Sequence, residues 1–299
     1  MKVKIKIPAT SANLGPGFDT LSIAWKLFLE IFIDTSHPGK VITYRGEDSE
    51  NLKKDDNLFI KSFTKTLNIL GYNPKNYLIE LNSQIPIGKG LGSSAAVIWG
   101  GIFSAEIISG KNLPKEDKFK IALSLEGHFD NLASAFNGGL TICTVEDGVP
   151  YIASFPYPDE LCGVIFIPTY SLPTEQSRNL LPKMYPREKI VQNLQSLSFL
   201  LTGLLYKDEE LIKLGLRDYL HQPYRFPLIP EVKFFSEKAM QKGALGIVLS
   251  GAGPSLLAFS FKDKVENLKE FLEQELKKEK ISGKIMILEI CKEGIIIEK

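Results

Sequence analysis

Cysteine is scarce in this sequence. Cys143, Cys162 and Cys291 are odd in number and show no metal-ligand spacing. That excludes a disulfide framework and a thiolate zinc site, and predicts reduced thiols in a cytoplasmic protein. No apolar run reaches the roughly 20 residues that a membrane span needs. The longest candidate, 95–109, is rich in Ala and Gly and carries Glu106. The opening "MKVKIKIPATS" lacks the apolar core of a signal peptide. Nor is charge of one sign in excess. A net charge of +1 gives no electrostatic footprint for nucleic acid or a membrane surface, so neither partner is expected. Arginine is scarce as well: Arg45, Arg178, Arg187, Arg217 and Arg225 are the full set. Lysine carries the generic surface charge. The positions that keep arginine are therefore candidates for a planar, bidentate donor.

The composition that remains, 44% hydrophobic and 24% charged, is that of a globular chain long enough for one large or two ordinary domains. Val3, Ile5 and Ile7 alternate with lysines and predict a half-buried strand, which the small residues of "ATSANLGPGFD" then break. Residues 24–35 read as a second strand. From residue 55, Phe59, Phe63, Leu67 and Leu70 recur at helical spacing before Gly71 stops them. "YLIELN" is a short strand. A glycine loop then leads into a helix ending near Gly110, another helix covers 115–125, and "GGLTICTV" returns as a strand. The turn-rich 150–158 predicts a boundary between units 1–155 and 156–299. The second unit reads as the strand "LCGVIFIP", helices over 189–206 and 208–220, and a helix from Pro230 to about 242. The strands "LGIVLS" and "LLAFSF" follow around "GAGPS", then a helix over 265–278 and a last strand "KIMILEI". That order predicts an α+β sandwich on an antiparallel sheet.

Three stretches carry chemistry. "PIGKGLGSSAA", 86–96, crowds Gly88, Gly90 and Gly92 before a helix. Such a loop lets a phosphate approach backbone N–H groups at a helix N-terminus. It fits neither the Walker A spacing nor the dinucleotide fingerprint. Ser93 and Ser94 fall where the helix starts, one able to cap it and one to bind a metal. In "PATSANLGPGFD", Asn13 and Asp19 flank two glycines, as an ordinary turn also would. "SGAGPS" between two apolar strands reads equally as a hairpin turn or as backbone packed closely on a ligand.

Taken together, the order of these motifs resembles the GHMP kinases, the small-molecule kinases named for galactose, homoserine, mevalonate and phosphomevalonate. "PIGKGLGSSAA" matches that family's central P-x-x-x-G-L-G-S-S-A-A motif, and the two flanking motifs stand near the expected ends. "PATSANLGPGFDTL", "EGHFDNLASAFNGG", "LPTEQSRNLLP" and "HQPYRFPLIP" are most similar to the homoserine kinase branch. The resemblance implies a two-domain α+β architecture, a ribosomal-protein-S5-like N-terminal domain and a ferredoxin-like C-terminal sandwich, with the active site between them. It implies ATP and Mg²⁺ as cofactors, L-homoserine as substrate, O-phospho-L-homoserine for threonine synthesis as product, and a homodimer.

By the same resemblance, the phosphates of ATP meet the loop. Pro86, Ile87, Gly88 and Lys89 open it, Gly90, Leu91 and Gly92 turn it, and Ser93, Ser94, Ala95 and Ala96 begin the helix. Asn57 is expected on the adenine side, and Ser94 and Glu126 on the metal. Homoserine is a small zwitterion. Its carboxylate suits Arg178 and Arg225, its ammonium suits Asp19, and Asn13, His128 and Asp130 supply further hydrogen bonds. Asn131 stands where some relatives carry an aspartate base, so catalysis is expected to rest on positioning, with Asn131, Thr174 and Lys89 as the catalytic set. Another small-alcohol kinase of the family, or a non-catalytic sensor on the same fold, remains the alternative.

Overall fold

The computed structural model describes residues 1–47 and 57–298. The alternating start lies in β1 (Lys2–Asn13), whose Val3, Ile5 and Ile7 are buried between half-exposed lysines. β1 does not break at "ATSAN" but runs on to Asn13 and pairs antiparallel with β2 (Gly17–Asp34). The small polar residues stay in the strand because their side chains are satisfied inside the molecule. Thr10 donates to Asn131, and Ser11 bonds Ser250 and the Trp25 indole. A buried hydroxyl with a partner costs little, so the strand persists.

β3 (Lys40–Gly46) was not expected. It pairs parallel with β4 (Tyr77–Ser83). A parallel pair needs a crossover, and α1 (Leu58–Ile69) lies on it. Asn57 caps α1, and the expected start at residue 55 lies outside the described residues. α2 (Ser93–Ser109) is apolar on every face and is buried almost throughout, as a central helix must be. After α3 (Lys115–Glu126) comes α4 (Asp130–Asn137), then the hairpin of β5 (Leu140–Glu146) and β6 (Val149–Phe155). The stretch 150–158 is thus mostly strand. Among the described residues β6 is bonded only to β5, and an edge strand tolerates the missing N–H of Pro150.

The second sheet is built on β7 (Leu161–Pro168), buried at every position. α5 (Thr174–Asn179), α6 (Arg187–Tyr206) and α7 (Glu209–Gly215) follow. α7 stops five residues before its expected end. A Cβ at Gly215 would lie 2.2 Å from Leu200 N, so the close crossing with α6 ends there. α8 (Gln222–Arg225), a 3₁₀ turn (Phe226–Leu228) and α9 (Val232–Gln241) lead to β8 (Gly246–Leu249) and β9 (Leu256–Phe261). α10 (Lys262–Lys278) buries Val265, Leu268, Leu272 and Leu276 on one side, and β10 (Gly283–Glu289) follows. β11 (Ile296–Glu298) returns to pair antiparallel with β1.

Among the described residues the strand order is β11-β1-β2-β4-β3 in one sheet, with β5 and β6 joined beside β2, and β10-β7-β9-β8 in the other. Trp25 and Trp99 are fully buried in the main core. Among the described residues no helix is long and apolar enough to cross a membrane. The β1–β2 turn, the loop before α2, the α3–α4 turn and the β8–β9 loop all meet at one cleft.

Candidate active site

Gly88, Gly90 and Gly92 have φ of 68°, 77° and 69°, the left-handed region that favours glycine. Two of them are also forced by close approach. A Cβ at Gly90 would lie 2.1 Å from Ser250 O, and one at Gly92 would lie 1.9 Å from Thr10 Oγ1. The glycines therefore clamp the loop between β1 and the β8–β9 loop, and Gly88, Gly90 and Gly92 themselves line the cleft. Ser93 and Ser94 line it as well, as the first residues of α2. Neither caps the helix. Gly92 holds the cap position in a left-handed conformation, so the leading N–H groups of α2 have no side-chain cap and face the cleft end.

Not every residue of the loop reaches the cleft. Leu91, Ala95 and Ala96 are buried in the core, so only their backbone can serve a ligand. Pro86, Ile87 and Lys89 line a neighbouring cavity between the loop and the end of β7. The Lys89 ammonium donates to Thr169 O at 2.8 Å and Tyr170 O at 2.7 Å, and the residue is 8% exposed. Lys89 thus lines that neighbouring cavity and is not among the residues that line the cleft. Two carbonyls at the end of β7 fix the ammonium, which ties the loop to the second sheet. Asn57 is also absent from the cleft lining. Its Oδ1 accepts from Phe59 N at 2.8 Å and its Nδ2 donates to the Tyr44 hydroxyl at 2.7 Å.

The β1–β2 turn and the β8–β9 loop interlock. Asn13 and Asp19 adopt positive φ, 72° and 51°. Asn13 Nδ2 donates to Gly251 O at 2.9 Å, and Asn13 Oδ1 accepts from Asp19 N at 3.0 Å. Ser250 donates to Gly90 O at 2.5 Å and shares a 2.6 Å bond with Ser11. The Gly253–Pro254 peptide is cis. Asn13 thus shapes the wall with both ends of its amide, while the Asp19 carboxylate is turned toward the arginines.

The α3–α4 turn delivers Glu126, His128, Asp130 and Asn131 to the cleft. Thr10 Oγ1 donates to Asn131 Oδ1 at 2.7 Å, so the amide nitrogen is the donor end, with one N–H on Asp130 Oδ1 at 3.4 Å and one left for a ligand. Asp130 accepts from Asn131 N at 2.6 Å. Burial pushes the Asp130 carboxyl up to about 6 despite that bond. Burial, with Asp130 nearby, pushes Glu126 up to about 8. Among the described residues the Glu126 carboxylate has no hydrogen bond or ion pair. Burial, then Arg178, lowers the His128 imidazole. Phe129 turns away from the cleft and stacks edge-on with Phe119 at 5.1 Å.

Arg178, from α5, closes on Asp19 with two bonds of 2.8 and 3.0 Å. Arg225, from α8, is 1% exposed. Its Nε donates to Ser177 O at 3.4 Å and its NH1 to His221 Nδ1 at 3.1 Å. His221 Nε2 donates to Gly15 O at 2.8 Å, which makes Nδ1 the acceptor and the ring neutral. Burial holds that imidazole down at about 4. Asp218 accepts the backbone N–H groups of Leu220, His221 and Gln222 and so builds the turn that aims Arg225. Thr174 begins α5, and its side chain lies outside the described residues. Arg45, Arg187 and Arg217 lie exposed, away from the cleft. Thr10, Ser250, Asp218 and His221 are supporting residues that sequence reasoning missed. Of these, His221 alone had a signal, as the first residue of "HQPYR".

Known proteins resemble this chain in sequence and fold. Residues 57–139 match the model for the GHMP kinases N terminal domain, and residues 200–278 match that for GHMP kinases C terminal. A homoserine kinase from Carboxydothermus hydrogenoformans is 40% identical, over 86% of this chain and 85% of its own. One from Aquifex aeolicus is 35% identical over 98% of both chains. The crystal structure of homoserine kinase from Cytophaga hutchinsonii superposes with a TM-score of 0.88 at 28% identity, covering 99% of this chain and 97% of that one. The L. major mevalonate kinase structure shares the fold alone, at 16% identity and a TM-score of 0.73. The chain belongs to the GHMP kinase family.

Proposed function

We propose that this enzyme is a homoserine kinase, transferring the γ-phosphoryl group of ATP to the hydroxyl of L-homoserine. One observation carries the substrate assignment. A buried guanidinium, Arg225, stands in the same cleft as the Arg178–Asp19 pair and the glycine loop. Two guanidiniums and a carboxylate complement an α-amino acid, whereas a neutral sugar leaves the buried Arg225 charge without a partner.

In this reading Gly88, Gly90, Gly92 and the leading N–H groups of α2 hold the ATP phosphates. Arg225 and Arg178 take the substrate carboxylate, and Asp19, with Asn13 and His128 beside it, takes the ammonium. Asn131 directs its amide N–H toward the acceptor hydroxyl or the transferring group, held that way round by Thr10. Asp130 keeps Asn131 in place from the backbone side. A loose phosphoryl-transfer transition state requires alignment and charge stabilisation more than a strong base, which suits an amide at this position. Thr174 remains the candidate to orient the hydroxyl proton. Lys89 contributes by fixing the loop.

The cleft fits Mg²⁺. Glu126 is a carboxylate without a hydrogen-bonding or ion-pair partner among the described residues, held near neutrality by burial, and it lines the same cleft as Ser94. Magnesium needs only one or two protein ligands beside phosphates and water. When bound it would neutralise charge on the nucleotide phosphates. The same reading divides the chain near residue 155, with β11 returning to the first unit. It places the enzyme in the cytoplasm, where its three buried cysteines stay reduced.

The test is an acceptor panel. Purified protein with MgATP should release ADP with L-homoserine and not with mevalonate, galactose or shikimate. No turnover with homoserine, beside turnover with another alcohol, would transfer the chain to a different member of the family.

A further inference from the structure

Among the described residues Arg225 has no hydrogen bond or ion pair with a carboxylate, although it is nearly fully buried. Its third neighbour is an aromatic ring. The guanidinium carbon lies 5.3 Å from the centroid of Phe18. The same ring holds Arg178 at 5.4 Å and stacks on His221 at 5.3 Å with an interplanar angle of 24°. One phenyl ring therefore touches both cations of the cleft. Phe18 is not itself among the residues that line the cleft.

Burial, then the like charge of Arg178, holds Arg225 below its ordinary value, at about 10. A second carboxylate would relieve that repulsion. It would also occupy the in-plane N–H donors that an incoming anion needs. An aromatic ring avoids the conflict. Its quadrupole stabilises a cation stacked on its face and leaves the guanidinium edge free to donate.

We propose that Phe18 is a positioning residue for the substrate carboxylate, a neutral partner that stacks on both Arg178 and Arg225 and leaves Arg225 without a competing carboxylate. The proposal rests on the reading of this cleft as the homoserine site. Phe18 and Asp19 then divide the work along a single dipeptide of β2. Asp19 pairs with Arg178 alone, while the Phe18 ring serves both cations. Arg225 becomes the standing anion receptor, and Arg178 the arginine shared between protein and substrate.

Replacing Phe18 by 4-fluoro-, 3,5-difluoro- and pentafluorophenylalanine drains the negative ring face in steps and leaves its shape nearly constant. KM for L-homoserine should rise along the series, to about tenfold at the last member. KM for ATP and kcat should stay within the scatter of the unsubstituted protein. Phe18→Leu should raise the homoserine KM about as much, and Phe18→Trp should restore it. A homoserine KM that stays flat across the series, or an ATP KM that rises in parallel, overturns the proposal. Absence of homoserine turnover in the unsubstituted protein overturns the functional reading and the proposal with it.

Discussion

Arg178 and Asp19 satisfy each other inside the cleft, through a bidentate pair at 2.8 and 3.0 Å. Each side chain is about one-third exposed, so the pair can open at modest cost. A zwitterion can open it and match both halves. A ligand with one charge matches only one half and gains nothing by opening the pair, which favours amino acids. Asp19→Asn should therefore raise KM for L-homoserine about tenfold or more, yet lower KM for 4-hydroxybutanoate, which has no ammonium. The gain should vanish when Arg178→Gln is added. A gain that survives the second substitution would point to general electrostatics and away from the freed Arg178.

Thr10 fixes the orientation of the Asn131 amide. Thr10→Val keeps the shape and removes the hydroxyl, so the amide is free to rotate. Loss of one such bond, about 1 to 2 kcal/mol, should lower kcat roughly tenfold and leave both KM values within about threefold. Steady-state kinetics would decide it, and a KM effect without a kcat effect would count against the role given to Asn131.

Glu126 is held protonated up to about pH 8 by burial. A carboxylate whose folded pKa lies above its unfolded value costs stability as pH rises from about 4.5 to 8, because the folded state binds the extra proton. Glu126→Gln should thus raise Tm at pH 8 and leave it unchanged at pH 4. Mg²⁺ with nucleotide should stabilise the wild-type protein more strongly as pH rises toward 8, and this pH dependence should be lost in the variant. Equal Tm values for the two proteins at pH 8 would contradict the placement of the carboxyl.

Lys89 ties the loop to the end of β7. Lys89→Met leaves two carbonyls without their donor. It should lower Tm by several degrees and kcat by less than about tenfold. A catalytic lysine on the phosphates would cost about a hundredfold or more in kcat at unchanged Tm.

What sequence alone could read was local. The amphipathic spacing of Phe59, Phe63 and Leu67, the apolar run of β7 and the glycine loop each carry their own signature within a few residues. What it misread depends on contacts far along the chain. The "ATSAN" segment stays a strand because Ser11 meets Ser250, 239 positions away, a distance no window spans. β3 is specified by its parallel neighbour β4. The carbonyls that receive Lys89 belong to residues 169 and 170, again far along the chain. The cleft residues were legible as types suited to a zwitterion. Their supports, Thr10, Asp218 and Phe18, were not, since each acts through a partner that the fold supplies.

The central claim is that the buried guanidinium of Arg225 receives the carboxylate of homoserine. Steady-state kinetics of Arg225→Gln, with L-homoserine and ATP varied in turn, tests it most directly. Losing the charged half of a buried pair should raise KM for homoserine by about a hundredfold, with KM for ATP within about threefold. An unchanged homoserine KM, or a loss that falls on ATP, would contradict the account.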